Sequence, residues 1–332
     1  MISFPEKEGG RSGPLRGRPR LYLVLLVCFT LAWAGGQIVR DLNRVTSLFF
    51  FIPTPICAGL LLLYAASVWR SGWRKIAIGV LLAATVPLSF LLFAENRWIV
   101  PSSEEPRSET FRLVHWNVGW GKGGWRDIYH TLAALDPDLV LLSEVPDYME
   151  VEIMADSLGR IVKESNRTSS MARGEFRALK ISPMVIFARG SLDGGRWLLR
   201  EGTHKVYVVD WAFEEYGLTL FAVELDASLF VKRNEFLGEI MGLVEREKPD
   251  IVAGDFNSPR RSKALSSLPA GFVHAYDAVG SGWSYTWPFP VFLYAIDQCI
   301  IGPRIRPVDY DLTSSTASDH RIQVLDFSLP SN

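Results

Sequence analysis

Cysteine is scarce, three in 332 residues. Cys28 and Cys57 lie in strongly apolar segments, which leaves Cys299 alone in the more polar remainder. No disulfide can close within that part and no cysteine-type metal site can form there. The scarcity does not decide the redox compartment, because many exported proteins also lack disulfides. Neither sign of charge prevails: 35 Lys and Arg face 36 Asp and Glu. The balance hides an uneven spread. Through Glu95 the chain holds 10 basic and 4 acidic side chains, so the remainder holds 25 and 32, a net of −7. Such a surface disfavours a broad grip on nucleic acid, which rests on Lys and Arg neutralising phosphates, although it leaves room for a local basic groove. Helical repeats and low-complexity arrays are also lacking.

What the first hundred residues have in excess is apolar sequence. Residues 1–20 are polar, rich in Gly and Pro and basic toward their end, the composition of a disordered tail. Residues 21–39 then run without a charge, and residues 45–69 and 76–94 follow, the second run with Pro53 and Pro55 near one end and the third with Pro87. At about 1.5 Å per residue each run comes close to or exceeds a hydrocarbon core about 30 Å thick. Three such runs split by short charged connectors predict three transmembrane helices rather than buried helices of a soluble protein. A cleaved signal peptide ending at Ala32-Trp33-Ala34 is the rival for the first run, disfavoured because the apolar sequence continues past it. The tail and the second connector hold eight Lys and Arg, against four in the first connector and after the third run. The excess predicts a multi-pass membrane protein with its tail in the cytoplasm and its C-terminal domain, residues 111–330, outside. Residues 95–110, with two prolines, read as a short exposed linker.

From Phe111 onward apolar runs alternate with turn signals. Strands are expected at 111–117, 138–144, 183–188, 205–213, 218–225, 250–255, 295–301 and 321–327, and helices at 125–135, 147–158 and 231–247. Within this pattern Ile251-Val-Ala-Gly-Asp255-Phe-Asn257 is a buried strand that stops to present a carboxylate and a carboxamide. Residues 135–144 repeat its plan of a Pro-Asp turn, an apolar strand and an acid, Glu144. Two such units suggest a pseudo-symmetric pair of sheets whose acids meet at one end. Gly-Asp-x-Asn alone is a weak signal, since these residues are ordinary turn formers. Its companions strengthen it: a strand ending in Asn117, Asp297 in an apolar run, and Ser318-Asp319-His320 leading into a final strand.

In that order the set resembles the endonuclease/exonuclease/phosphatase superfamily, which includes pancreatic-type deoxyribonucleases, abasic-site endonucleases, neutral sphingomyelinases and inositol-polyphosphate phosphatases. The resemblance covers about residues 108–330. It implies an α+β fold, a four-layer α/β/β/α sandwich of two mixed sheets, here preceded by the three apolar helices. Carboxylates at strand ends suit Mg²⁺ or Mn²⁺, which prefer oxygen ligands, and Glu144 is the first candidate ligand. The resemblance adds Asn117 and Asp319 around the metal, Asp255 beside the attacking water, Asn257 on the phosphate and Asp297 paired with His320. Each residue also has a bland reading as a turn or a cap, but their joint occurrence in family order favours the site. One position departs from the pattern: many members carry His where Glu224 stands, and Lys232 or Arg233 is the candidate to replace its positive charge.

The expected activity is hydrolysis of phosphoesters by a membrane-anchored, metal-dependent enzyme acting outside the cytoplasm. The competing class is a non-catalytic binding or scaffold protein that kept the fold, with Glu224 the one feature in its favour. For partners the sequence points to the lipid bilayer and a phosphoester substrate (a lipid head group, a small phosphoester or nucleic acid), and no protein partner is inferred. Residues 282–294 pack six aromatics beside Asp297. Most simply they fill the rim of the core. Next to a bilayer, where Trp and Tyr favour the interface, they tilt the expectation toward lipid head groups or small extracellular phosphoesters over duplex DNA.

Overall fold

The computed structural model describes residues 18–99, 109–165, 175–228 and 231–330. Most of the expected disordered tail and the proline-containing part of the expected linker lie outside these residues. The chain begins with α1 (Arg18–Val39), α2 (Arg44–Phe50), α3 (Thr54–Arg70) and α4 (Arg74–Phe90), the last extended by a π-helical turn to Glu95. Among the described residues, two helices are long and apolar enough to cross a membrane, residues Leu21–Val39 of α1 and Arg74–Glu95. The expected second span is instead broken. α2 and α3 meet at 53° and complete a third span only if the bent pair is taken as one. The break follows from sequence. The Asn43 side chain accepts the N–H groups of Val45 and Thr46 and so starts α2. Pro53, with no N–H to continue the helix, forces a new start at Thr54.

The remaining chain folds as β1 (Thr110–Asn117), α5 (Trp125–Leu135), β2 (Leu139–Ser143), α6 (Val151–Ser165), β3 (Phe176–Ile181), β4 (Met184–Arg189), β5 (Ser191–Glu201), β6 (His204–Phe213) and β7 (Tyr216–Glu224). There follow α7 (Arg233–Glu247), β8 (Ile251–Asp255), β9 (Val273–His274), α8 (Ala275–Val279), β10 (Asp297–Ile301), β11 (Arg306–Thr313) and β12 (Ile322–Ser328). Two six-stranded sheets result, in the orders β11-β12-β1-β2-β4-β3 and β5-β6-β7-β8-β10-β9. Alternation along each strand builds the layers. In β1, Phe111 and Leu113 enter the core between the sheets with Leu141, Val209, Leu220 and Ala253, whereas Val114 and Trp116 pack outward under α5 and α6. On the far side, Phe221 and Val223 pack under Leu237, Ile240 and Val244 of α7. The result is the expected order of helix, sheet, sheet and helix.

The two sheets repeat one plan. Each has a parallel central pair, β1 with β2 and β7 with β8, flanked by antiparallel neighbours and joined by a crossover helix, α5 or α7. Each helix ends on a left-handed residue, Asp136 or Lys248, followed by Pro-Asp. The Asp138 carboxylate then accepts the N–H of Arg112 at 2.8 Å, and that of Asp250 accepts the N–H of Thr219 at 2.9 Å. The repeated Pro-Asp turn is therefore a clamp that sets both strands of each pair.

The helices pack on one end of this sandwich. Between α1 and α2, Asp41 accepts the N–H of Lys263 at 2.7 Å and Arg40 donates to Ser266. At the end of α4, Arg261 lies over the ring of Phe90, 4.1 Å from its centroid. Residues 95–97, expected to begin an exposed linker, are held instead. The Glu95 carbonyl accepts from Ser284 Oγ and Arg260, the Asn96 side chain accepts the N–H of Ser284 at 2.7 Å, and the Arg97 N–H reaches Tyr276. Asn96 is buried by these contacts.

Candidate active site

Both parallel pairs deliver their carboxyl ends to one edge of the sandwich. Asn117 ends β1, Glu144 follows β2, and Glu224 and Asp255 end β7 and β8, where they are register partners. β10 runs antiparallel to β8 and sets Asp297 opposite Asp255. The turn into β12 brings Ser318, Asp319 and His320 to the same edge. Backbone strain marks the positions. Glu144 has φ 55° and Asn257 φ 46°, a left-handed conformation that costs a non-glycine residue roughly 1–2 kcal/mol. Gly254 could not be replaced, since a Cβ there would lie 1.9 Å from the Val223 carbonyl oxygen.

The hydrogen bonds tie the two halves together. Asn117 Nδ2 donates to Asp255 Oδ2 at 2.9 Å, the Asn257 N–H donates to Asp255 Oδ1 at 2.8 Å, and Asn257 Nδ2 donates to the Leu225 carbonyl. His320 Nδ1 lies 2.9 Å from Asp297 Oδ2, and Thr286 Oγ1 accepts the N–H of Asp297 at 3.2 Å. Burial works against both charges of the Asp297–His320 pair. Each nonetheless holds the other, so that His320 is raised to about 10 and Asp297 is held below the ordinary carboxylate range. Asp255 is pushed up to about 7, first by burial and then by the charge of Asp297. Glu224 is raised well above the carboxylate range, first by burial and then by Asp255.

All seven residues singled out in the sequence thus come to one edge, though not in the expected grouping. Ligand atoms of Glu144, Glu224 and Asp255 lie within 4.8 Å of one another, as do those of Asp255, Asp297 and His320. The Asp319 carboxylate stands at the rim, where it accepts the indole N–H of Trp287 at 2.9 Å. Neither residue expected to replace a histidine charge enters the site. Arg233 donates to the carbonyls of Asp226 and Ser228 and lies over the ring of Phe51, and Lys232 pairs with Glu235 on the surface. Besides His320, the cation lining the cleft is Lys122, in the glycine-rich turn after β1. Its signal was the run Gly119-Trp-Gly-Lys-Gly-Gly124, whose Gly123 leaves no room for a Cβ against the backbone of Ala317.

The cleft has a volume of about 590 Å³. Its polar lining holds Glu144, Asp255, Asn257 and His320, with Asp319 at the rim, and one wall is apolar, made by Trp287, Tyr294, Leu48 and Phe51. The last two come from the end of α2, within the second apolar run. Sequence reasoning placed them in a membrane span and missed them as part of the site. The group Glu144, Glu224 and Asp255 offers oxygen alone, with a buried carboxylate oxygen of Glu224 lacking any partner, and it fits a hard divalent cation such as Mg²⁺ or Mn²⁺.

Comparison with known proteins agrees with this geometry. The family model described as Endonuclease/Exonuclease/phosphatase family matches residues 114–320. No curated protein matches the chain significantly. Among solved structures, TDP2 from C. elegans is 14% identical with a TM-score of 0.51, over 98% of this chain and 98% of that one. D. rerio TDP2 complexed with single strand DNA product is 17% identical with a TM-score of 0.50, over 67% of this chain and 100% of that one. The human nocturnin catalytic domain with bound sulfate is 15% identical with a TM-score of 0.44, over 71% and 98%. At these identities the two TDP2 structures speak for the fold alone. With the family model spanning more than half of its length, the chain belongs to the endonuclease/exonuclease/phosphatase family.

Proposed function

We propose that this protein is a membrane-anchored, divalent-metal-dependent phosphoester hydrolase whose site faces the outside of the cytoplasm. The observation that carries the reading is the meeting of the Asp297–His320 pair with Asp255 and Glu144 on one cleft floor. Glu144, with Asn117 and Asp319 at hand, would hold a cation that would supply charge neutralisation for a phosphoryl group. The remaining work falls to side chains. Asp255, buried and oriented by Asn117 and by the N–H of Asn257, accepts the proton of an attacking water. Asn257 orients the phosphate. His320, its Nδ1 engaged by Asp297, keeps its charge and presents the rest of its ring to the cleft, where it stabilises phosphoryl charge or protonates the leaving oxygen.

Substrate preference follows from the walls. A net charge of −7 after Glu95 and a cleft bounded by Leu48, Phe51, Trp287 and Tyr294 favour lipid head groups or small phosphoesters over long duplex DNA. The test is hydrolysis of bis(p-nitrophenyl) phosphate, plasmid DNA and phospholipid vesicles by the full chain in detergent with Mg²⁺ or Mn²⁺. Hydrolysis of at least one of them, lost by roughly a hundredfold or more in Glu144→Ala, is the expected result. Equal inactivity of both proteins on this panel would overturn the reading and favour the scaffold alternative.

A further inference from the structure

The repeated plan of the two sheets makes Glu224 the counterpart of Asn117, and Asp255 the counterpart of the position that Glu144 follows. An amide on one side therefore faces a carboxylate on the other. Glu224 is only 6% exposed and its Oε2 has no hydrogen-bond partner. Glu144 and Asp255 offer oxygens within 4.8 Å of it and of each other. Among the described residues no Lys or Arg forms an ion pair with any of the three. Arg233 turns to backbone carbonyls, Lys232 to Glu235, and Lys205 Nζ to the Ser182 carbonyl at 2.8 Å.

A buried carboxylate oxygen without a partner, as Glu224 Oε2 is, is relieved by a proton or by a cation. A proton relieves only one oxygen of the group, and it leaves the others facing one another across the same gap. A hard cation engages all three at once and keeps water in its remaining positions. We propose that Glu224, Asp255 and Glu144 form a divalent-cation site for Mg²⁺ or Mn²⁺, additional to the one assigned to Asn117, Glu144 and Asp319, with Glu144 shared between them. The inference builds on the hydrolase reading, and it makes Glu224 a ligand rather than a defect. An ion there adds positive charge beside Glu224, where neither Lys232 nor Arg233 reaches.

The experiment is Mn²⁺ binding to the full chain in detergent after chelator treatment, followed by calorimetry and by electron paramagnetic resonance. Two Mn²⁺ per chain with a spin-coupled spectrum are expected for the wild type. Glu224→Gln, which keeps the shape and removes the charge, is expected to bind one ion and to lose the coupling. Asp319→Asn is expected to lose the other ion and keep the site at Glu224. A wild type that binds a single Mn²⁺, or a folded Glu224→Gln that still binds two, overturns the proposal. The wild-type stoichiometry decides the matter even where a variant fails to fold. Diester hydrolysis by a protein holding one ion would sink this inference alone. Two ions bound without any hydrolysis would instead sink the hydrolase reading.

Discussion

Two buried histidines of this chain are held in opposite charge states, and what faces each decides which. His320 meets the Asp297 carboxylate and is raised to about 10, while His274 meets only the Leu265 carbonyl and burial lowers it to about 4. Removing the charge in Asp297→Asn lets burial dominate at His320. A charged imidazole is present below its pKa, so the alkaline limb of the rate profile is expected to move to lower pH. The rate itself is expected to fall by roughly 10²–10³. Steady-state kinetics across pH check both. For His274 the sign is the reverse of that for a paired histidine. Its folded pKa lies below the unfolded value near 6.5, so the unfolded state binds more protons between about 6.5 and about 4. Stability is complete above that window and is lost as pH falls through it, by about 2 kcal/mol near pH 5 from this one group. Denaturant unfolding of His274→Gln is expected to show that much less acid sensitivity.

At the level of elements, every strand that the sequence concealed is a sheet edge. β11, β3, β5 and β9 are the outermost strands, and none was read from the sequence, whereas all eight interior strands were. An interior strand is covered on both faces or alternates strongly, but an edge is partly solvated, so polar residues interrupt its pattern. β5 carries Asp193-Gly-Gly195 and a register shift there, and β11 carries Pro307 at another. The acids and amides of the site were legible for the converse reason, since each stands within three residues of one end of an apolar interior strand: Asn117 and Asp255 end β1 and β8, Glu144 and Asn257 come after β2 and β8, Asp297 opens β10 and Asp319 precedes β12. Leu48 and Phe51 were not, because apolar residues in a cleft wall look the same as those in a span. α2 gives this a measurable form. Hexadecyl p-nitrophenyl phosphate is expected to outcompete the methyl ester in kcat/KM by at least about tenfold, as burial of a few methylenes implies. Leu48→Asn is expected to cut that preference by roughly fivefold, and equal preference in both proteins would remove α2 from substrate recognition.

For the whole molecule, the contacts of Asp41, Phe90 and Glu95–Arg97 tie the end of the helices to the sandwich. Both ends of the helical region that meet the sandwich, after α1 and after α4, lie on the same side of any membrane it crosses. If the bent pair α2–α3 counts as one span, the Arg70–Lys75 connector falls on the other side, as the positive-inside rule expects. A reporter active only outside the cytoplasm, fused after Asn332, is expected to be active, and a cytoplasm-only reporter there silent; the opposite pattern would reverse the orientation. The repeated halves carry a last implication. Asn117 and Glu144 come from one sheet, Glu224 and Asp255 from the other, and the core between the sheets, with the Asn117–Asp255 hydrogen bond at its edge, fixes how far apart they stand. Neither half holds a complete set of groups by itself. Turnover therefore acts as a gauge of the gap between the sheets: thinning the filling at Leu141 or Leu220 would register first as lost rate, at a point where the fold itself still melts as one unit.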